Sequence, residues 1–162
     1  MSVTALDLLV VQKDNNWEVE EWIVPLSTAL AGLTAEQAAW APPEGGNTIW
    51  QTVNHINYYN GRILSRLKGT EPGARVETNE ESFNGTGGAQ DEAAWAHVLA
   101  ETKQIQLELR EAIAALTAEE LDAPYANTGE PYGRELSRWM LHDAYHAGQI
   151  VLIRRQQGSW RS

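Results

Sequence analysis

The chain contains no cysteine. Disulfides and thiolate metal ligands are therefore excluded, as is a thiol nucleophile of the protein's own; the absence fits a reducing compartment, and a cytoplasmic location is expected. Positive charge is scarce too. Twelve Lys and Arg stand against 22 Asp and Glu, giving a net charge of -10 and a pI of about 4.8. Such a chain is repelled by phosphate backbones and anionic lipid, so neither nucleic acid nor a membrane is expected as a partner. Long hydrophobic runs are missing: no apolar stretch approaches the ~20 residues that span a bilayer. The first residues lack a basic region and their apolar run stops at Gln12, so no signal peptide is expected. No useful length of strand-period alternation occurs.

The 162 residues, 43% of them hydrophobic, suffice for a core, and a single domain over residues 1–162 is expected. Most of the sequence falls into four long helical segments. The first covers about residues 4–30, with Leu8, Val11, Trp22, Leu26 and Leu30 as apolar positions and a kink or break just before Pro25. Thr34 to Gln37 is a capping box opening a short helix towards Trp40. The second long helix begins at Asn47 or Thr48 and ends near Lys68, stopped by Gly69; Ile49, Val53, Ile56, Ile63 and Leu67 form its stripe. Residues 70–90 are glycine-rich and read as a long irregular connection. The third helix runs from Asp91 to about Leu116, with Trp95, Val98, Leu99, Thr102, Ile105, Leu109, Ile113 and Leu116 inward. A second capping box follows at Thr117 to Glu120, then a loop over residues 124–133. The fourth helix, about 134–157, is apolar on most sides and is expected to be largely buried. The pattern is all-α and points to a four-helix bundle.

Histidine is the informative residue. His142 and His146 lie one turn apart on the fourth helix and share a stripe with Glu135, Trp139 and Gln149. His55, on the second helix, sits at the edge of the apolar stripe beside Thr52, Tyr59 and Arg62. Three imidazoles from two helices would make a metal site with open coordination positions. The alternative, separate histidines satisfied by local hydrogen bonds, stays open at this stage. His97 has no histidine three or four residues away on its helix and is set aside. His142 to His146 resembles the H-E-x-x-H metalloprotease motif, but Asp143 replaces the glutamate and downstream ligands are missing. Gly85 to Gly88 is no phosphate loop, since no lysine follows and no strand precedes. Trp17, Trp22 and Trp160 are candidates for a subunit interface.

Several stretches together resemble the DinB/YfiT-like family of small bacterial four-helix proteins. They are Leu33-Thr-Ala-Glu-Gln-Ala-Ala-Trp40 with its Pro-Gly loop, Asn47-Thr-Ile-Trp-Gln-Thr-Val-Asn-His55, Leu67-Lys-Gly69, and Leu141-His-Asp-Ala-Tyr-His-Ala-Gly-Gln-Ile150. The resemblance implies an up-down-down-up bundle, a homodimer, and one divalent metal ion per chain, zinc or nickel, held by His55, His142 and His146. It implies a metal-dependent transferase that joins a low-molecular-weight thiol to an electrophile, with a metal-dependent hydrolase or a non-catalytic metal- or ligand-binding stress protein as alternatives. The partner is then a small-molecule substrate. Beyond the ligands, Tyr59 and Gln149 are expected to line the pocket, and Asp143 or Glu135 to orient a ligand imidazole.

Overall fold

The computed structural model describes residues 2–126 and 128–161, so Asn127 of the 124–133 loop lies outside the described residues. The helices are α1 (Ala5–Trp17), α2 (Leu26–Leu30), α3 (Ala35–Ala39), α4 (Ile49–Leu67), α5 (Glu92–Ala114), α6 (Ala118–Asp122) and α7 (Tyr132–Gln156). A 3-10 turn spans Glu80–Phe83. No strand occurs among the described residues; the one β-bridge joins Pro124 to Pro131. The fold is all-α, as the periodicity indicates.

Four threonines explain where four of these helices begin. Thr4, Thr34, Thr48 and Thr117 each accept from the backbone N–H three residues on, and Asp7, Gln37, Gln51 and Glu120 return a bond to the threonine's own N–H. Each box satisfies two amides that a helix start otherwise leaves without partners. At the other end, Gly69 and Gly158 take left-handed φ of 67° and 72° just beyond α4 and α7, a conformation costly for other residues.

The first long helix is shorter than the sequence suggests. It stops at Trp17, well before Pro25, and Glu18 and Val19 both donate to the Asp14 carbonyl. Asn15 and Asn16 are weak helix formers, and the Asn16 amide donates to the Met140 carbonyl at 2.6 Å. The inward face of α1 is accordingly Leu9, Lys13 and Asn16. Leu8 and Val11 are more than half exposed and Trp22 is 97% exposed, so these three are not core. Trp17 and Trp160 pack partly buried against this chain's own core. The fourth long helix is less enclosed than expected: Leu141, Tyr145 and Leu152 are exposed.

The core divides into two apolar clusters. One gathers Leu26, Ile49, Val53, Ile56, Trp95 and Ile150; the other gathers Leu9, Leu64, Leu109, Ile113 and Met140. On each long helix a buried polar residue falls between the two groups: Lys13 on α1, Asn60 on α4, Gln106 on α5 and Asp143 on α7. A polar layer thus crosses the middle of the molecule, and the candidate site sits at its edge.

The 70–90 connection is strapped to α4. Tyr58 Oη accepts from the Val76 N–H at 3.0 Å, and the Asn54 amide donates to the carbonyls of Asn84 and Gly85. Gly87 lies so close to the Trp50 indole that a Cβ there would overlap the ring. Trp50 is buried against Trp95, with ring centroids 5.1 Å apart. Gly87→Ala is therefore expected to lower stability by about 1–3 kcal/mol, since the strap or the indole must shift. Urea unfolding checks this, and a midpoint equal to the parent's would contradict the tight packing.

Candidate metal centre

Helix α4 brings His55, and α7 brings His142 and His146, to one point. His55 Nε2 lies 2.8 Å from His142 Nε2, which lies 3.0 Å from His146 Nε2. His55 and His146 are buried; His142 is partly exposed. Phe83 from the 3-10 turn stacks on the His55 ring, centroid to centroid 3.8 Å with planes 12° apart, and Tyr59 meets it edge-on.

The far side of two rings fixes their tautomers. Ser82 Oγ gives its only proton to the Asn79 carbonyl at 2.5 Å, so at 2.6 Å it accepts from His55 Nδ1. His55 Nδ1 therefore carries the hydrogen and Nε2 presents a lone pair. The Gln149 amide oxygen, 2.7 Å from His146 Nδ1, does the same for that ring. Both bare Nε2 atoms face His142. Burial, reinforced by the neighbouring imidazoles, pushes the His55 pKa down to about 3 and moves His146 down as well, so both are neutral at pH 7. Lone pairs gathered this closely repel each other, and a cation among them removes the conflict. Neutral imidazole nitrogens are good ligands for divalent transition metals, and three leave a position open for water or substrate. The donor set fits a metal ion.

Behind His142 lies the polar layer. Asp143 Oδ2 accepts from Asn60 Nδ2 at 2.9 Å and from Gln106 Nε2 at 3.2 Å. Trp139 Nε1 donates to Asn60 Oδ1 at 2.5 Å, and Lys13 Nζ donates to Gln106 Oε1 at 2.5 Å. Burial lowers the Lys13 pKa to about 8, and the nearby Asp143 carboxylate partly opposes that shift. The other Asp143 oxygen is buried without a hydrogen bond, 3.7 Å from His142 Nδ1, which likewise has none. The carboxylate is thus placed to favour a proton on His142 Nδ1 and to leave Nε2 free.

Two clefts reach the histidines. One, of about 730 Å³, has His142, Tyr59, Arg62, Arg66, Tyr125 and Trp139 in its wall. The other, of about 440 Å³, reaches His146 past Phe83, Tyr145, Gln149 and Leu152.

Of the residues singled out from sequence, His55, His142 and His146 converge, Gln149 bonds to His146, and Asp143 stands beside His142. Tyr59 lines the larger cleft, its hydroxyl donating to Asn79 Oδ1 at 3.0 Å. Glu135 makes no hydrogen bond or ion pair with any of the three rings among the described residues: its carboxylate is held by Arg138 at 2.6 Å, one turn along α7. His97 is exposed on α5. Sequence reasoning missed Ser82 and Phe83, which arrive from an irregular connection with no periodic signal. It also missed Lys13, Asn60 and Gln106, whose only trace was a polar residue inside a helix.

The family model described as the DinB superfamily matches residues 25–150, a span that includes all three histidines. No curated protein and no solved structure matches the chain. No helix among the described residues is long and apolar enough to cross a membrane.

Proposed function

Given that the chain belongs to the DinB superfamily, we propose that it binds one divalent ion, zinc or nickel, through His55, His142 and His146, and that it is a metal-dependent transferase joining a low-molecular-weight thiol to an electrophile. The observation that carries the metal is the convergence of three Nε2 atoms, two of them fixed as acceptors by Ser82 and Gln149. When bound, a divalent ion at such a site lowers the pKa of a coordinated thiol or water towards neutrality.

The chain's own residues supply the rest. Ser82 and Gln149 hold two imidazoles in the binding tautomer, and Asp143 steadies the third. Phe83 and Tyr59 flank His55 and limit water around it. The absence of cysteine is consistent with a thiol brought by the cosubstrate. Two separate clefts, one reaching His142 and the other His146, give room for two substrates and favour transfer over hydrolysis. The same reading takes the long helices as an up-down-down-up bundle in a single domain, and the working unit as a homodimer; exposed Leu8, Val11 and Trp22 offer apolar surface for the contact.

The test is metal content by mass spectrometry on untagged protein beside His142→Ala, followed by turnover assays. We expect near one ion per parent chain, little in the variant, and loss of an electrophile only when thiol is present. Turnover of an ester or amide without thiol would replace the transferase with a hydrolase. Metal without turnover on either panel would leave a binding protein. A parent that takes up no zinc or nickel would sink the mechanism.

A further inference from the structure

The larger cleft is unusual in its charge. In a chain with net charge -10, four guanidiniums line this one cavity: Arg62, Arg66, Arg75 and Arg138. The wall carries two carboxylates, Glu77 and Glu135, and Glu135 is already paired with Arg138. Among the described residues, no carboxylate pairs with Arg62, Arg66 or Arg75. An acidic protein that gathers unpaired cations in one cleft concentrates field there.

Two of the guanidiniums are held in place without being neutralised. Arg62 lies over the Tyr58 ring, 5.5 Å from its centroid, and donates to the Gly73 carbonyl at 2.7 Å. Arg66 lies over the Tyr125 ring at 5.2 Å. Stacking on an aromatic face fixes the plane of a guanidinium and leaves N–H edges free for a carboxylate or phosphate. Neither neighbour competes for that charge as an acid would.

Position gives the cluster a meaning. His55, Tyr59, Arg62 and Arg66 follow one another along a single face of α4. At a rise of about 1.5 Å per residue, Arg62 and Arg66 lie roughly 10 and 16 Å along the helix from His55. Arg138 is likewise one turn from His142 on α7. The cleft is therefore a groove with the histidines at one end and cations further along it, walled by Tyr59, Tyr125 and Trp139.

We propose that this groove is the subsite for an anionic group, a carboxylate or a phosphate, on the substrate, read by Arg62, Arg66 and Arg75 at a distance from the histidines. The inference rests on the reading of the three histidines as the reactive centre and deepens it: one of the two small molecules is an anion, long enough to reach from the histidine end of the groove to arginines whose backbone positions lie roughly 10 and 16 Å along α4 from His55. Apolar or aromatic structure between the two ends would suit the tyrosine and tryptophan walls.

The experiment is an NMR titration of the full chain with phenyl phosphate, phenylacetate and neutral phenylacetamide, at low and high salt. Either anion is expected to bind better than the amide, less well as salt rises, with shifts at residues of the groove. The stronger of the two anions identifies phosphate or carboxylate as the group recognised. Arg66→Gln is expected to weaken anion binding by about tenfold, the scale of one lost hydrogen bond to a charged group. Arg75→Gln, at an exposed side chain with no hydrogen bond or ion pair among the described residues to lose, should weaken it as well. Metal content should be unchanged in both variants, and His142→Ala should keep anion binding. Failure of the metal reading and failure of the anion subsite thus separate. Equal binding of the amide and the anions, no binding at all, or Arg66→Gln and Arg75→Gln both binding like the parent would overturn the proposal.

Discussion

Asp143→Ala is expected to destabilise the fold by about 3–5 kcal/mol, the scale for leaving a buried charge without its counter-charge, here one linked to it through the Gln106 amide rather than by direct contact. In melting temperature that is a fall of roughly 6–20 °C for a chain of this length. The residue is 1% exposed, and its carboxylate accepts from two other buried amides, those of Asn60 and Gln106. Alanine leaves both donors unsatisfied. It also strips Lys13 of the carboxylate that does most to support its ammonium group. Lys13→Met in the same chain removes the stranded cation, so the double variant should lose much less than the sum of the single losses.

The lysine has its own signature. Its pKa falls from 10.5 in the unfolded chain to about 8 in the folded one. Between those values the unfolded chain holds a proton that the folded chain has released, so stability rises with pH across that window, and the gain is gone by the time pH has fallen back to about 8. Lys13→Met should flatten that rise. Urea unfolding of the four proteins at pH 7.5 and pH 10 is the check. Strict additivity, or an unchanged slope in the lysine variant, would show that the layer is not coupled as the hydrogen bonds suggest.

That layer also marks where sequence reasoning stops. Helix starts were legible because a capping box is a local event: Thr34 with Gln37, and Thr117 with Glu120, need no tertiary information. The histidine pair was legible because four residues make one turn. Leu8 and Val11 were misplaced because α1 has apolar residues on two faces, and the choice between them was made by Lys13 and Asn16 finding polar partners 93 and 124 positions away. Periodicity cannot weigh a distant partner. Leu141 and Leu152 failed for the same reason: an apolar side chain does not say whether a neighbour will cover it. Ser82 and Phe83 were invisible because they lie on a connection whose path is set by its anchoring to Asn54, Tyr58 and Trp50 rather than by a repeat. The part of the site that supplies ligands was written in spacing, and the part that orients them was written in contacts.

Zinc or nickel should raise the melting temperature by roughly 5–11 °C when present at about a hundredfold over its dissociation constant, which corresponds to about 2.7 kcal/mol of binding linkage. A chelator should reverse the shift. The sharper expectation concerns His142→Ala in the chelated state. If the three rings were ordinary buried histidines, truncating one would remove favourable contacts, the variant would melt below the parent, and metal would change neither. The geometry argues otherwise. His55 and His146 both direct lone pairs at His142 Nε2, from 2.8 and 3.0 Å, and one imidazole has at most one Nε2 proton to share between them. His142 Nδ1 makes no hydrogen bond that truncation would break. Removing this partly exposed ring relieves a conflict as well as leaving a gap, so the metal-free variant should melt within about 2 °C of the parent, the scale set by losses below about 1 kcal/mol. Only the parent should then respond to metal. A crossing of this kind, in which a residue matters little without the ion and greatly with it, is what a binding site produces and a structural histidine does not. A chelated variant that melts far below the parent, with no metal response in either protein, would return these residues to the core.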